Sequence, residues 1–284
     1  MAKEDAKLIQ AALERHWAKH LSRLQACRNQ ASESAVHKLR ISLRRLLAFI
    51  ELLQILAPDP ALRKLRKDLK SQLDGFDELR DTQVMLADLL DLNALPEIAP
   101  FLAYLRANER RLLAAIPRQL HVLDSNSQEL LLAKVQKRVL PALREMNLPR
   151  ACLAAIDAVY AVALQRYRAI DAQQPQTLHK LRIALKKLRY LLITASELLP
   201  PLPDGHLASL QTYLTLLGDI QNSCVRREYL NRYFGHQPPP ALAEIFAERH
   251  QLLLDAFWLE RPKIATFWRL SDKHPWPWDN KGMH

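Results

Sequence analysis

Residues 36–53 read VHKLRISLRRLLAFIELL, and residues 178–195 read LHKLRIALKKLRYLLITA. On a helical wheel of about 100° per residue, His37, Arg40 and Arg44 share one narrow sector, with Lys38 and Arg45 beside it. Leu39, Leu43, Leu46, Ile50 and Leu53 lie opposite. The later stretch repeats the pattern: His179, Arg182, Lys186 and Arg189 form a stripe, Tyr190 stands at its edge, and Leu181, Leu185, Leu188 and Leu192 face away. Each stretch therefore reads as a helix with one apolar face for a bundle and one cationic face. No acidic residue occurs between 34 and 50, or between 172 and 196. A solvated helix face normally mixes charge signs so that i,i+4 pairs stabilise it. Like charges at that spacing, such as Arg40 with Arg44, cost a few tenths of a kcal/mol; a bound anion reverses that cost.

The two stretches are offset by 142 residues, half the chain, and a second pair follows them. FDELRDTQVMLADLL (76–90) matches LGDIQNSCVRREYLN (217–231) at an offset of 141. The maintained spacing reads as a duplicated unit of about 140 residues. The periodicity predicts helices near 5–27, 34–56, 60–73, 76–92, 98–116, 127–146, 150–170, 176–199, 205–232 and 239–258, with almost no strand-like alternation. The expected fold is all-α: two similar helical bundles, residues 1–146 with a linker helix and residues 147–284 with an irregular tail. That tail, from 259 on, carries Trp268, Trp276 and Trp278 among prolines and charges.

Further cations add to the first half. In ALRKLRKDLK (61–70), Arg63, Lys67 and Lys70 share a face, with Arg66 nearby. His16, Lys19, His20 and Arg23 form another stripe, and Arg166 stands where the repeat places an equivalent of Arg23. The second half has no counterpart of the 63–70 run; it reads HLASLQTYL at 206–214.

Composition narrows the chemistry. The chain has 284 residues, a net charge of +11 and a pI near 9.7, which favours a polyanionic partner: nucleic acid, an acidic membrane face or inorganic polyphosphate. Only five glycines occur, against roughly 20 at average usage. That excludes a P-loop and a dinucleotide fingerprint, both of which need clustered glycines. Three scattered cysteines, Cys27, Cys152 and Cys224, suit a reducing compartment and offer no CxxC metal pair. The N-terminal MAKEDAKLIQ is charged where a signal peptide is apolar, so a cytoplasmic protein without a membrane role is expected.

Arginine's planar fork suits phosphate oxygens and keeps its charge. A stripe of two or three turns, about 10–15 Å long, suits a linear chain of phosphates better than a single phosphate. Other chemistries fit less well. Asp74, Asp77, Glu78 and Asp81 have i, i+3, i+4, i+7 spacing and could hold a cation for an enzyme, but the second half keeps only Asp219. Ser42 beside His37 lacks an orienting carboxylate, and His16 with His20 lacks a third metal ligand. For nucleic acid, the basic helices lack interleaved aromatics and base-reading amides. Neither a metal nor a cofactor is expected.

At these residues the chain resembles the CHAD family, the conserved-histidine α-helical domain, whose hallmark is roughly H-x-x-R-x-x-x-[RK]-[RK]-x-R in two copies. The second copy fits through His179, Arg182, Lys186, Lys187 and Arg189; the first fits through His37, Arg40, Arg44 and Arg45, with Leu47 where the last arginine belongs. FDELRD (76–81) and LGDIQN (217–222) resemble the family's L-G-x-L-R-D stretch, with Asp77 in place of the glycine, and Gln221 and Asn222 in place of Arg-Asp. The resemblance implies two four-helix bundles related by a pseudo-twofold axis, their basic helices facing a central cavity. It also implies non-catalytic binding of inorganic polyphosphate and, in some members, targeting to polyphosphate granules. The E-x-E-x-K strand of the triphosphate-tunnel domain found in many relatives does not occur, so the chain looks like a stand-alone binding module.

Overall fold

The computed structural model describes residues 2–92, 95–121 and 125–279. Ten α-helices run through them: α1 (Ala2–Asn29), α2 (Glu33–Leu56), α3 (Pro60–Asp74), α4 (Asp77–Asp88), α5 (Ala99–His121), α6 (Ser125–Leu143), α7 (Leu148–Arg168), α8 (Pro175–Thr194), α9 (His206–Tyr233) and α10 (Pro240–Glu260). No strand occurs among the described residues. Local chemistry sets the boundaries that matter for the site. Ser32 caps α2 by accepting from the Ala35 amide, and Asp59 caps α3 ahead of Pro60. α3 stops at Asp74 with Gly75 as its cap, so the acidic run 74–81 is split between two helices.

The chain divides into two compact units. Unit one comprises the residues up to Asp77, Leu112–Val159 and Tyr190–Pro201; unit two comprises Glu78–Arg111, Tyr160–Arg189 and the residues from Leu202 on. In unit one, α1 packs on α2, α2 on α3, α3 on α6 and α6 on α1, which closes a ring of four helices. Its core includes Leu13, Leu24, Leu39, Leu43, Leu46 and Phe49, all essentially inaccessible. Each such side chain contributes about 1.5–3 kcal/mol relative to exposure.

In unit two, α4, α5, α9 and α10 share a core built on Met85, Leu89, Phe101, Leu105, Leu230 and Phe246. Four-helix groupings thus occur in both units, but neither unit is a contiguous half. α4 and the first half of α5 pack with helices from beyond residue 200. The halves 1–146 and 147–284 are units of sequence, and the packed units are cut differently.

The tail packs within unit two. After α10 a 3₁₀ turn, Arg261–Thr266, leads to the buried Trp268. The Tyr160 hydroxyl donates to the Ile264 carbonyl at 2.5 Å. Trp276 and Trp278 stack at 5.4 Å, and the Arg269 guanidinium lies 3.5 Å over Trp276. Residues 280–284 lie outside the described residues. All three cysteines are free; burial pushes the Cys27 thiol up to about 11 and that of Cys152 to about 12. α7 is long and apolar enough to cross a membrane by length and composition alone. Its inner face, including Cys152, Ile156 and Ala163, is buried in the protein.

Candidate functional site

The first cationic stripe lies on α2 in unit one. His37, Lys38 and Arg45 are exposed, and Arg44 is half-buried. Arg40 departs from the exposed sector read from the wheel. Its side chain is 7% exposed, and it donates to the Asp77 carboxylate at 3.3 Å. The reason is packing on two sides: one buried line of α2 runs through Val36, Leu43, Leu47 and Ile50, another through Leu39, Leu46 and Leu53. Position 40 falls at the edge of the first line. The acid partner missing from the helix itself arrives from α4.

The α3 cations are set further along. α3 packs against α2, and its Arg66 meets Glu51, eleven residues along α2 from Arg40. α2 and α3, joined by three residues and packed together, run antiparallel. Arg63 and Lys67 are exposed. Arg66 donates to Glu51 at 2.8 Å, and Lys70 pairs with Asp74. Two of the four cations read from this run are thus partly neutralised.

The second stripe, on α8, lies in unit two. Lys187 is exposed, while His179, Arg182, Lys186 and Arg189 are half-buried. Burial, and then the neighbouring Arg182, holds the His179 imidazole below its ordinary pKa, against an opposing hydrogen bond with Gln221. The Arg182 guanidinium lies on Gly218: a Cβ at that glycine would sit 3.4 Å from its Nε and Nη2. Next to it, burial and then Asp88 raise the Asp219 carboxyl, although Arg182 and Arg226 act in the opposite direction. Asp88 itself pairs with Arg226.

Arg40 and Arg182 occupy matching positions of the two histidine-led stretches, and Asp77 and Gly218 match in the two second stretches. The same seat recurs: an arginine from the first stretch on one position of the second, with a carboxylate there in one copy and bare backbone in the other. The wheel missed this seat because its partner lies 37 residues away in one copy and 36 in the other. The only signal was the departure of Asp77 from glycine in the second stretch.

On α1, Lys19 is exposed, Arg23 and His16 are half-buried, and His20 is fully buried. His20 is not part of a surface stripe. Leu13, Trp17, His20, Leu24 and Cys27 follow a heptad-like 4-3-4-3 spacing into the core, and this pattern outweighs the basic one. Burial, and then Arg28, pushes the imidazole down to about 4. Arg166 is exposed on α7, and Tyr190 is half-buried near the end of α8.

The acidic run does not gather as a cation site. Asp74 meets Lys70, Asp77 meets Arg40, Glu78 meets Arg111, and Asp81 meets Arg80. Among the described residues, no three His, Cys, Asp or Glu side chains come together as a ligand set. Ser42 is buried and donates to the Leu39 carbonyl at 2.7 Å.

The family model of the CHAD domain matches residues 11–231, a span that takes in both histidine-led helices and both second stretches. Among solved structures, the crystal structure of the CHAD domain from the plant Ricinus communis is similar in fold, with a TM-score of 0.65 at 18% identity. That match covers 92% of this chain and 89% of the plant one. None of the curated proteins matches. With more than half its length matched by the family model, the chain belongs to the CHAD domain family.

Proposed function

We propose that the protein binds inorganic polyphosphate along the cationic faces of α2 and α8, without catalysis, in the cytoplasm and on polyphosphate granules where these form. The observation that carries this reading is the pair of histidine-led cation stripes, each with its arginine seated on position 77 or 218. Family membership supports the same partner. In unit one, His37, Lys38, Arg44 and Arg45 present the contacts, and Lys67 and Arg63 extend the track for a ligand that is itself extended. In unit two, His179, Arg182, Lys186, Lys187 and Arg189 do so. Arg40 acts by positioning. The recurring arginine seat also supports a duplicated origin for the two halves. A non-catalytic role is favoured because each carboxylate of the 74–81 run is already engaged by a cation.

A chain-length series tests the proposal. Affinity should rise from orthophosphate through tripolyphosphate to long chains, because two stripes on one polypeptide add by effective concentration. It should fall as salt rises, because bound counterions are released, and duplex DNA should compete poorly. Equal affinity for orthophosphate and long chains, a flat salt response or steady release of phosphate would overturn the proposal.

A single substitution probes the second stripe. Gly218→Asp recreates the carboxylate that holds Arg40 in the first copy and sets it against Arg182. With Arg182 drawn to that carboxylate instead of to a phosphate, long-chain binding should weaken about tenfold, the worth of one charge-assisted hydrogen bond. Unchanged affinity measured by calorimetry would remove Arg182 from the residues that touch the ligand.

A further inference from the structure

Within unit one, α1, α2, the end of α8 and the turn at 196–198 enclose a cavity of about 320 Å³. That is at the small end of the range for sites that take small molecules, about 300–1,000 Å³. Its walls are mostly apolar, including Ala12, Ala48, Phe49 and Tyr190, with Leu8 and Ile193 part-exposed among them. A few polar groups converge on this lining. Arg15 donates to Glu197 at 3.2 Å, so that pair is internally neutral. The Thr194 and Ser196 hydroxyls donate back to the Tyr190 and Ile193 carbonyls. Arg45 remains: among the described residues no carboxylate pairs with it, and it stands at the cavity wall. The His16 ring lies 5.4 Å from that of Phe49. Burial, and then Arg15, Arg45 and Lys19, hold its imidazole below its ordinary pKa, against an opposing effect of Glu197.

We propose that this cavity binds small amphipathic anions, an anionic head on an aliphatic or aryl body, with the head at Arg45 and the body against Ala12, Phe49 and Ile193. An inorganic anion would leave the apolar walls unused, and a neutral amphiphile would forgo the charge-assisted contact with Arg45. Arg45 also belongs to the α2 cation stripe, whereas the apolar walls at Ala12, Phe49 and Ile193 belong to this cavity alone.

The test is a set of titrations of the full chain with octanoate, phenyl phosphate, octanol and inorganic phosphate, followed by calorimetry and by the His16 ring resonance. Octanoate, phenyl phosphate or both should bind saturably, and the two distinguish a carboxylate from a phosphate head. The bound anion should move the His16 titration to higher pH. Octanol and inorganic phosphate should bind at least about tenfold more weakly. Arg45→Gln, and separately Ala12→Leu, which narrows the cavity, should each weaken binding about tenfold or more. Ala12→Leu should leave long-chain polyphosphate binding unchanged. The proposal is overturned by absence of saturable binding, by octanol binding as tightly as octanoate, or by full retention of binding in Ala12→Leu.

Discussion

Replacing Arg40 with alanine should cost the free protein about 1–3 kcal/mol of stability, while Arg45→Ala should change it by no more than about 0.5 kcal/mol. Both substitutions remove one arginine from the same helix. The difference is burial: the Arg40 side chain is 7% exposed and paired with Asp77, whereas Arg45 is open to solvent. Removing Arg40 deletes the packing of its aliphatic stem beside Val36 and Leu43 and strips Asp77 of its partner. Asp77 is 57% exposed and can be resolvated, so the cost stays below the 3–5 kcal/mol typical of a broken, fully buried pair. Thermal unfolding of the two variants checks this directly. Equal melting temperatures would return Arg40 to the solvent-facing residues that touch the ligand.

Acid should destabilise unit one through His20. Above about pH 6.5 the imidazole is neutral in both the folded and the unfolded chain and has no effect on the pH dependence. As pH falls from 6.5 towards about 4, the unfolded chain takes up a proton that the folded chain refuses, because burial and Arg28 disfavour the charge. The integrated loss is about 3 kcal/mol at 1.36 kcal/mol per pH unit, and it levels off below the folded value. His16, His179, His206 and His250 are also lowered, with burial the largest cause in each, and add losses of the same sign. A His20→Met variant isolates the buried group. Its melting temperature should fall less steeply than that of the parent between pH 6.5 and 4. Parallel pH profiles would show that His20 is protonated in the folded state without cost.

Helical periodicity carried most of the fold: each of the ten segments read from the sequence is a helix, with ends displaced by a few residues. Leu, Ala, Arg and Lys at 3.6-residue spacing decide helix against strand locally, and little else competes here. Two things escaped because they depend on neighbours. A wheel shows which residues share a side of one helix but not how many helices surround it. α2 is packed on two sides, which took Arg40 inside; α1 has a heptad-spaced core line, which took His20 inside. The units alternate along the chain for a related reason: a match between two stretches of sequence does not set which helices pack, and α4 and α5 share their core with α9 and α10. Of the candidate cations, His37, Arg45, Lys67 and Lys187 are exposed. The pairing of Asp77 with Arg40 and of Glu51 with Arg66 came only from tertiary structure.

On the proposed function, particular helix faces, rather than overall positive charge, bind polyphosphate. The most direct measurement compares two charge-matched double variants in calorimetric titrations with long-chain polyphosphate at physiological salt. One replaces Arg45 and Lys187 with alanine; the other replaces Lys134 and Lys273, equally exposed on α6 and in the tail. Removing one charge-assisted hydrogen bond from each stripe should weaken binding at least about tenfold, whereas the second pair should weaken it by less than about twofold through screened long-range attraction. Equal weakening in the two double variants would mean that binding follows net charge alone, and would contradict the assignment of the α2 and α8 faces.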